Sequence, residues 1–202
     1  DKVNETGPKA GIRLLDWVHT SGPMGLFTTK KAVRKLEDTK GLRLRFMAPP
    51  QKVMYEAMGA KGAGVPWPDV YTALQTGMID GYIHGPDTAL KFRHTEVFKY
   101  FTSLEVGFVS MGVSMSEKYY QSLSAKQKKI LADGVAVARI ANQKWIDEYV
   151  PKNLERMKEA GVEVITLSPS EMKRFKDKIA DSRRKMAPPP VFQYFFTSAD
   201  KF

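Results

Sequence analysis

The chain has 202 residues, 43% of them hydrophobic and 11% aromatic, which indicates a globular protein with a sizeable core and not an intrinsically disordered chain. It contains no cysteine, so disulfides, thiol catalysis and thiolate metal sites are excluded. The formal net charge of +10 is compatible with an anionic ligand, an anionic surface or a nucleic acid.

A basic cluster between residues 30 and 45 is the feature that favours a nucleic acid. No helix-turn-helix, zinc-finger or RNA-recognition motif accompanies it, and the aromatic residues lie in apolar runs instead of alternating with the basic ones. We therefore interpret the cluster as a solvated surface and expect no nucleic-acid partner, while a basic nucleic-acid-binding domain stays an alternative. The members are Lys30, Lys31, Arg34, Lys35, Lys40, Arg43 and Arg45.

The first quarter of the chain predicts strands separated by a loop. A strand is expected at residues 11–19, a turn-rich loop at 20–24 and a short strand at 26–28. Residues 42–47 alternate leucine or phenylalanine with arginine, which predicts a strand whose apolar side chains share one face and whose two arginines share the other.

Between residues 65 and 87 the sequence predicts a short helix between two strands. A proline and an aspartate suit the first helical turn, and Gly77 suits a left-handed C-cap. A buried strand is then expected to start at Met78 and to end at a turn formed by Asp80-Gly81. This strand would bring residues 82–84 to the edge of the sheet where open α/β sheets bind ligands.

The second half of the chain predicts one long helix. Ser124 and Gln127 form a capping box that opens a helix running to about residue 160, with a kink at Pro151 and a stop at Gly161. The other elements expected are a helix at 51–58, a strand at 62–65, a helix at 88–94, one or two strands in 101–115, a helix at 116–123, a strand at 162–167, a helix that starts with a second capping box at 168–171, and an aromatic tail.

This alternation of strands and helices predicts an α/β protein with a mostly parallel sheet covered by helices. The three histidines form no zinc-protease motif, and the glycine-rich residues 59–64 follow a helix and precede a strand, the reverse of a phosphate loop. We expect no cofactor, no metal site and a binding protein instead of an enzyme. An enzyme of unknown type on the same frame stays an alternative, for which His84 and Asp80 are the pair of residues available as a base.

Two ordered motifs resemble the signatures of one family. The runs L-E-D-T-K-G-L-R-L-R-F at 36–46 and D-V-Y-T-A-L-Q-T-G-M-I-D-G at 69–81 are similar to those of the solute-binding subunits of tripartite ATP-independent periplasmic (TRAP) transporters. The resemblance covers about residues 11–167. It implies a periplasmic-binding-protein-like fold, with two α/β lobes joined by strands and a long spanning helix, and with the ligand between the lobes.

The resemblance also implies that much of the first lobe is not part of this chain. Residues 1–40 are expected to be a remnant of that lobe and the crossover. Residues 41–123 are expected to form the second lobe with the ligand-site motifs, and residues 124–202 the spanning helix, a return strand, and the C-terminal helix and tail. We expect such a chain to bind its ligand weakly and to expose apolar surface.

Arg45 is the first candidate for a ligand contact. It lies at the end of the predicted strand 42–47, and a guanidinium matches a carboxylate bidentately. The resemblance implies that Arg45 clamps the carboxylate of the substrate. The alternatives are a surface charge or a structural ion pair with Asp69 or Asp80, and Arg43 is expected to be structural.

Trp67 and His84 complete the predicted site. Trp67 lies between two prolines, and the resemblance implies a ligand contact, with a core tryptophan at a helix entrance as the alternative. His84 stands where the family usually has asparagine, and its imidazole can donate to a bound oxygen or carry charge. A turn residue that packs on Trp67 or Tyr82 is the alternative for His84.

The site departs from the family in a second way. Many members carry another arginine near the position of Gly25, so one cation is absent here and Met24 could form an apolar wall. The resemblance implies an extracytoplasmic, periplasmic protein that captures a small organic acid and delivers it to the membrane subunits of a TRAP transporter. A monocarboxylate with an apolar body would suit this site best.

Overall fold

The structure is a computed structural model that describes residues 7–186, so the aromatic tail lies outside the described residues. Within this range the chain forms strands, α-helices and short 3-10 turns. The strands are β1 Ile12–Thr28, β2 Arg43–Phe46, β3 Lys61–Gly64, β4 Gly81–His84, β5 Tyr100–Ser116 and β6 Glu163–Thr166. The α-helices are α1 Pro49–Ala57, α2 Val70–Gln75, α3 Pro86–Lys91, α4 Glu117–Ser122, α5 Ala125–Tyr149, α6 Asn153–Glu159 and α7 Pro169–Met186.

The strands form one sheet in the order β3-β2-β4-β1-β5-β6. β2 runs parallel to both β3 and β4, and β5 runs parallel to β6. β1 is antiparallel to β4, with Gly25 opposite His84 and Thr28 opposite Gly81. The α/β class expected from the alternation of elements is confirmed, and the ends of β2 and β4 that carry Arg45 and His84 are neighbours.

β1 is a single strand of 17 residues, so the loop expected at 20–24 is wrong. The glycine and the proline in this stretch are turn signals, but a Cβ at Gly22 would lie 2.5 Å from the side chain of Val150, so the structure uses a small residue here for close packing. The next glycine along β1 is packed in the same way. A Cβ at Gly25 would lie 2.4 Å from the ring of Phe101 and 2.5 Å from the carbonyl oxygen of Thr102. A glycine in a strand interior therefore marks a close approach of the neighbouring strand.

β4 starts at Gly81, and the expectation that a strand ends at Asp80-Gly81 is wrong. Met78 is 63% exposed. The Asp80 N–H donates to the carbonyl oxygen of Arg43 at 2.8 Å, which places Asp80 at the entrance of the strand. A Cβ at Gly81 would lie 1.8 Å from the carbonyl oxygen of Phe27, so this glycine permits the pairing of β4 with β1.

The expected capping box of the long helix is confirmed. The Ser124 hydroxyl accepts the Gln127 N–H at 3.3 Å, and the Gln127 side-chain oxygen accepts the Ser124 N–H at 2.9 Å. The helix is interrupted at Pro151, where the kink is predicted, but it is not continuous to residue 160 as expected, because a 3-10 turn at Val150–Lys152 separates α5 from α6. Pro151 has no N–H to donate and breaks the helix there.

Glycines end the helices where the sequence predicts. Gly59, Gly77 and Gly161 follow α1, α2 and α6 with φ of +86°, +72° and +82°, the left-handed conformation that a side chain disfavours. The Ser168 hydroxyl accepts the Glu171 N–H at 3.3 Å at the start of α7. Local chemistry thus sets these element boundaries.

Contacts between residues divide the chain into two compact units. One unit contains residues 7–22 and 108–153, and the other contains residues 23–107 and 154–186. The boundaries fall inside β1, inside β5 and near the start of α6, so each unit is built from two separated stretches. The contiguous segments expected from the sequence stay a prediction about the lobes.

The unit that contains β2 and β4 has two buried apolar clusters. One surrounds Leu44, Tyr55 and Phe175, and the other surrounds Phe27 and Tyr82. All four residues of β4 are buried. The strand ends that carry the predicted site residues are therefore held by side chains on both faces of the sheet.

The unit that contains residues 7–22 and 108–153 is different, because none of the 25 residues of α5 is buried. Ile130, Val137 and Ile140 are 61%, 67% and 71% exposed. No helix described between residues 7 and 186 has the length and apolar character needed to cross a membrane.

Candidate functional site

Arg45 is a buried cation at the end of β2. Its residue is 8% exposed, and its Nε donates to the carbonyl oxygen of Val65 at 3.1 Å. Its guanidinium carbon lies 5.1 Å from the centre of the Trp67 ring. Burial lowers the pKa of Arg45, but a guanidinium keeps its charge in proteins.

Arg45 forms no ion pair with any acidic side chain among the described residues, so the expected alternative of a pair with Asp69 or Asp80 is wrong. Asp80 instead accepts the backbone N–H of Arg43 at 2.8 Å and pairs with the Arg43 guanidinium at 2.8 Å. Arg43 therefore has the structural role expected of it. A buried charge without a counter-ion is costly, and such a site gains most from binding an anion.

Trp67 lies in a 3-10 turn at Trp67–Asp69 and is half-buried. Its ring lies near the Arg45 guanidinium and near four other rings, so it packs in an aromatic cluster and keeps part of its surface exposed. The ring-centre distances are 5.0 Å to Phe92, 5.3 Å to His94, 6.1 Å to Tyr82 and 6.1 Å to His84. Trp67 thus joins Arg45 and His84 in one place.

His84 ends β4 and is buried. Its Nδ1 accepts the Gly85 N–H at 2.9 Å, so the neutral ring carries its proton on Nε2. Burial, the charge of Arg45 and His94 lower the pKa of His84 to about 4. At neutral pH the ring in this site is an uncharged hydrogen-bond donor.

Tyr82 and His94 form a hydrogen-bonded pair in this region that the sequence does not predict. The Tyr82 hydroxyl lies 2.8 Å from Nδ1 of His94, which is 3% exposed, and burial lowers the pKa of His94 to about 4. These residues lie twelve positions apart in different elements, so no periodic pattern links them. Only the packing around Trp67 brings them together.

Asp87 is the third residue of this region with unusual electrostatics. It lies in the first turn of α3, and its Oδ1 is buried without a hydrogen-bond partner among the described residues. Burial raises the pKa of Asp87 to about 6. This carboxylate is therefore held in an unfavourable environment at neutral pH.

His84 and Asp80, the two residues available as a base in the enzyme alternative, do not lie next to each other. Asp80 precedes β4 and His84 ends it, a span of roughly 13 Å at the rise of a strand. Burial acts to raise the pKa of Asp80, and the hydrogen bonds and charge of Arg43 outweigh it, so the pKa lies below its usual value. A carboxylate held in this way is a weak base.

The basic cluster is partly neutralised by ion pairs. Arg34 pairs with Glu163, and Arg43 pairs with Asp80. Within residues 7–186 no group of three or more histidine, aspartate or glutamate side chains could hold a metal ion. What the site offers is a buried guanidinium, a neutral imidazole donor and an aromatic wall, which together suit a small anion.

A comparison with known families assigns this mixed α/β chain to a class of proteins. The family model described as bacterial extracellular solute-binding protein, family 7, matches residues 1–188. The chain belongs to this family, and the resemblance to TRAP solute-binding subunits is confirmed. The family consists of solute-binding proteins and not of enzymes.

Two of the curated relatives that this chain matches are named for the solutes that they bind. The chain is 30% identical over 169 residues to the C4-dicarboxylate-binding periplasmic protein DctP of Rhodobacter capsulatus, covering 77% of this chain and 50% of the relative. It is 28% identical over 177 residues to the 2,3-diketo-L-gulonate-binding periplasmic protein YiaO of Escherichia coli, covering 87% and 53%. The chain thus spans about half the length of these relatives.

A solved structure agrees with the fold. The TRAP periplasmic solute-binding protein of Pseudomonas putida F1 with bound D-glucuronate has 31% identity and a TM-score of 0.79. The match covers 87% of this chain and 56% of that protein. The expectation of a periplasmic-binding-protein-like fold is therefore confirmed.

Proposed function

We propose that this chain binds the carboxylate of a small organic acid as part of an extracytoplasmic solute-binding protein. The observation that carries the proposal is the Arg45 guanidinium, which is buried, lies over Trp67 and has no anionic partner among the described residues. A carboxylate would supply the missing charge and accept two parallel hydrogen bonds.

His84 and Trp67 have separate roles in this proposal. The Nε2–H of neutral His84 donates to a ligand oxygen, which replaces the amide donor that the family usually has at this position. The exposed part of Trp67 forms an apolar wall for the body of the ligand. A position for a second arginine is closed, since a Cβ at Gly25 would already meet Phe101 and Thr102.

The relatives support the class of ligand and partner. A C4-dicarboxylate, 2,3-diketo-L-gulonate and D-glucuronate all carry a carboxylate. We propose that this protein acts in the periplasm, as the named relatives do, and delivers its solute to the membrane subunits of a TRAP transporter. Because Arg45 is the one cation identified at this site among residues 7–186, a monocarboxylate with an apolar body is favoured over a polyhydroxylated acid.

Ligand-observed NMR tests the proposal because saturation transfer detects weak binding. The panel is butyrate, succinate and D-glucuronate, with the uncharged butyramide and succinamide as matched controls. We expect saturation transfer to at least one acid, strongest for butyrate, and none to the amides. Equal transfer to acids and amides, or transfer to no acid at all, would contradict the proposal.

A further inference from the structure

The ends of β2 and β4 are linked by side chains at the place where their ladder stops. The parallel register pairs Leu44 with Gly81 and Arg45 with Tyr82, and it ends there. In a parallel ladder a residue bonds to the two residues that flank its opposite number. If this register continued by one residue, the Ile83 N–H would donate to the carbonyl oxygen of Arg45, and the Ile83 carbonyl oxygen would accept the Met47 N–H. We call these two expected backbone hydrogen bonds the two rungs.

The hydroxyl of Tyr55, a residue of α1, bridges the two backbone groups of the first rung. The Ile83 N–H donates to the Tyr55 hydroxyl at 3.0 Å, and this hydroxyl donates to the carbonyl oxygen of Arg45 at 3.0 Å. Tyr55 is fully buried, and burial raises its pKa well above the usual value, so the hydroxyl is a neutral donor and acceptor. Its two bonds join the donor and the acceptor of one ladder rung.

The side chain of Gln51, one helical turn before Tyr55, bridges the two backbone groups of the second rung. The Met47 N–H donates to Oε1 of Gln51 at 2.8 Å, and Nε2 of Gln51 donates to the carbonyl oxygen of Ile83 at 3.2 Å. Residues four apart share one face of a helix. Gln51 and Tyr55 therefore act together, and each joins the two backbone groups that a continued ladder would join directly.

We propose that Gln51 and Tyr55 are positioning residues that set the separation between the ends of β2 and β4. The acceptor of Tyr55 is the carbonyl of Arg45, and Ile83 immediately precedes His84, so the two side chains fix the guanidinium and the imidazole relative to each other. This inference rests on the proposed function for its consequence in binding, but the geometry exists without a ligand.

Removing either side chain should change the spacing of the site. Without the Tyr55 hydroxyl, the buried Ile83 N–H and Arg45 carbonyl lose a shared partner. The Ile83 N–H can then donate directly to the Arg45 carbonyl oxygen, and this hydrogen bond would draw the ends of β2 and β4 closer together. The environment of His84, which is set by burial, Arg45 and His94, changes with that spacing.

NMR titration of the histidine ring protons in the absence of ligand tests this inference. The variants are Tyr55→Phe and Gln51→Met, and Tyr71→Phe is the matched control because its hydroxyl donates to exposed Glu96 at 2.8 Å. We expect the His84 midpoint to move by at least about half a pH unit in the first two variants, and to stay unchanged in the control.

The outcomes separate a positioning role from a merely structural one. A folded Tyr55→Phe protein of lower stability whose His84 midpoint equals that of the wild type would overturn the inference. If Tyr55→Phe does not fold, Gln51→Met decides by the same measurement, since Gln51 is only half-buried.

A binding measurement then separates this inference from the proposed function. If butyrate binds the wild type, we expect Tyr55→Phe to weaken it at least tenfold, and to have no further effect in an Arg45→Met background. Absence of butyrate binding by the wild type would count against the proposed function alone, because the His84 titration still decides the role of Tyr55 and Gln51.

Discussion

Arg45 and Arg43 lie two residues apart on one strand and have opposite roles. Arg45 is buried without an acidic partner, whereas Arg43 is half-exposed and holds Asp80. The alternation along β2 predicts that the two share a face, but it gives no sign of which one has a counter-ion. Which arginine has a counter-ion depends on the position of Asp80, which follows α2 in the chain and lies beside Arg43 in the fold.

The first prediction compares these two arginines. Arg45→Ala should abolish carboxylate binding, because removing one partner of a buried charge-assisted pair costs on the order of 2–5 kcal/mol. The substitution should change the free energy of unfolding little. Arg43→Ala should lower the free energy of unfolding and keep binding. Calorimetry with butyrate and urea denaturation measure the two effects, and an unchanged dissociation constant in Arg45→Ala would exclude the clamp.

The second prediction concerns Asp87. Its pKa of about 6 lies above the value of an unfolded aspartate, so ionisation in the folded state destabilises the protein above that pH. Asp87→Asn should therefore raise the free energy of unfolding at pH 7 by on the order of 1–3 kcal/mol. The gain should shrink as the pH falls from about 6 to about 4, and it should vanish below the pKa of an unfolded aspartate, where the wild-type carboxyl is protonated in both states.

Urea denaturation of both proteins at pH 7, 5.5 and 4.5 measures this difference. Taking the difference between variant and wild type cancels the contributions of His84 and His94, whose lowered pKa values remove stability as the pH falls through the same range. A gain that is equal at all three pH values would show that the charge of Asp87 is not the cause.

At the scale of elements, glycine has two different uses in this chain. Gly25 lies in β1 against Phe101, where a Cβ would meet the Thr102 carbonyl oxygen at 2.5 Å, whereas Gly134 lies in α5 with nothing within 4 Å of its Cβ position. The same residue type is thus required for packing in the strand and is a weak point in the helix.

The third prediction uses this contrast. Gly25→Ala should lower the free energy of unfolding by about 1–3 kcal/mol or more, since backbone atoms cannot yield as a side chain can. Gly134→Ala should raise it by roughly 0.5–1 kcal/mol through helix propensity. Thermal and urea denaturation of the two variants test the signs, and a neutral Gly25→Ala would show that β5 shifts freely.

Elements set by local chemistry could be predicted from the sequence. The caps at Ser124 and Gly77, the alternation in β2 and the α/β class depend on neighbours in the chain. The two strand errors, at 20–24 and at Asp80-Gly81, share a cause: glycines next to a proline or an aspartate read as turns. Whether each of these stretches forms a turn or a strand depends on the neighbouring strand in the sheet, and the pattern of a single sequence does not show which strand that is.

The candidate site could likewise be predicted only in part from the sequence. Arg45, Trp67 and His84 follow from motifs and strand ends, and the structure brings them together, while their roles in binding stay a prediction. Tyr55, Gln51 and His94 could not be found, because each of them has a hydrogen bond to a group 10 to 32 residues away in the chain.

At the scale of the whole molecule, the fourth prediction concerns α5. Most helical stability in proteins comes from packing, and α5 has no buried residue, whereas α7 buries Phe175 and Ile179. In this chain the amides of α5 should therefore exchange with deuterium faster than those of α7. Hydrogen exchange followed by mass spectrometry measures this, and equal protection of the two helices would contradict it.

The division of each unit into two separated stretches has a consequence for synthesis. The apolar cluster that holds Tyr55 and Ile83 also contains Phe175 and Ile179 of α7, about ninety residues later in the chain. At roughly 5–20 residues per second a ribosome needs on the order of 5–20 s to make that interval. The strands that carry Arg45 and His84 therefore leave the ribosome well before the helix that completes their core. During this time the apolar side chains that contact Phe175 and Ile179 lack these partners.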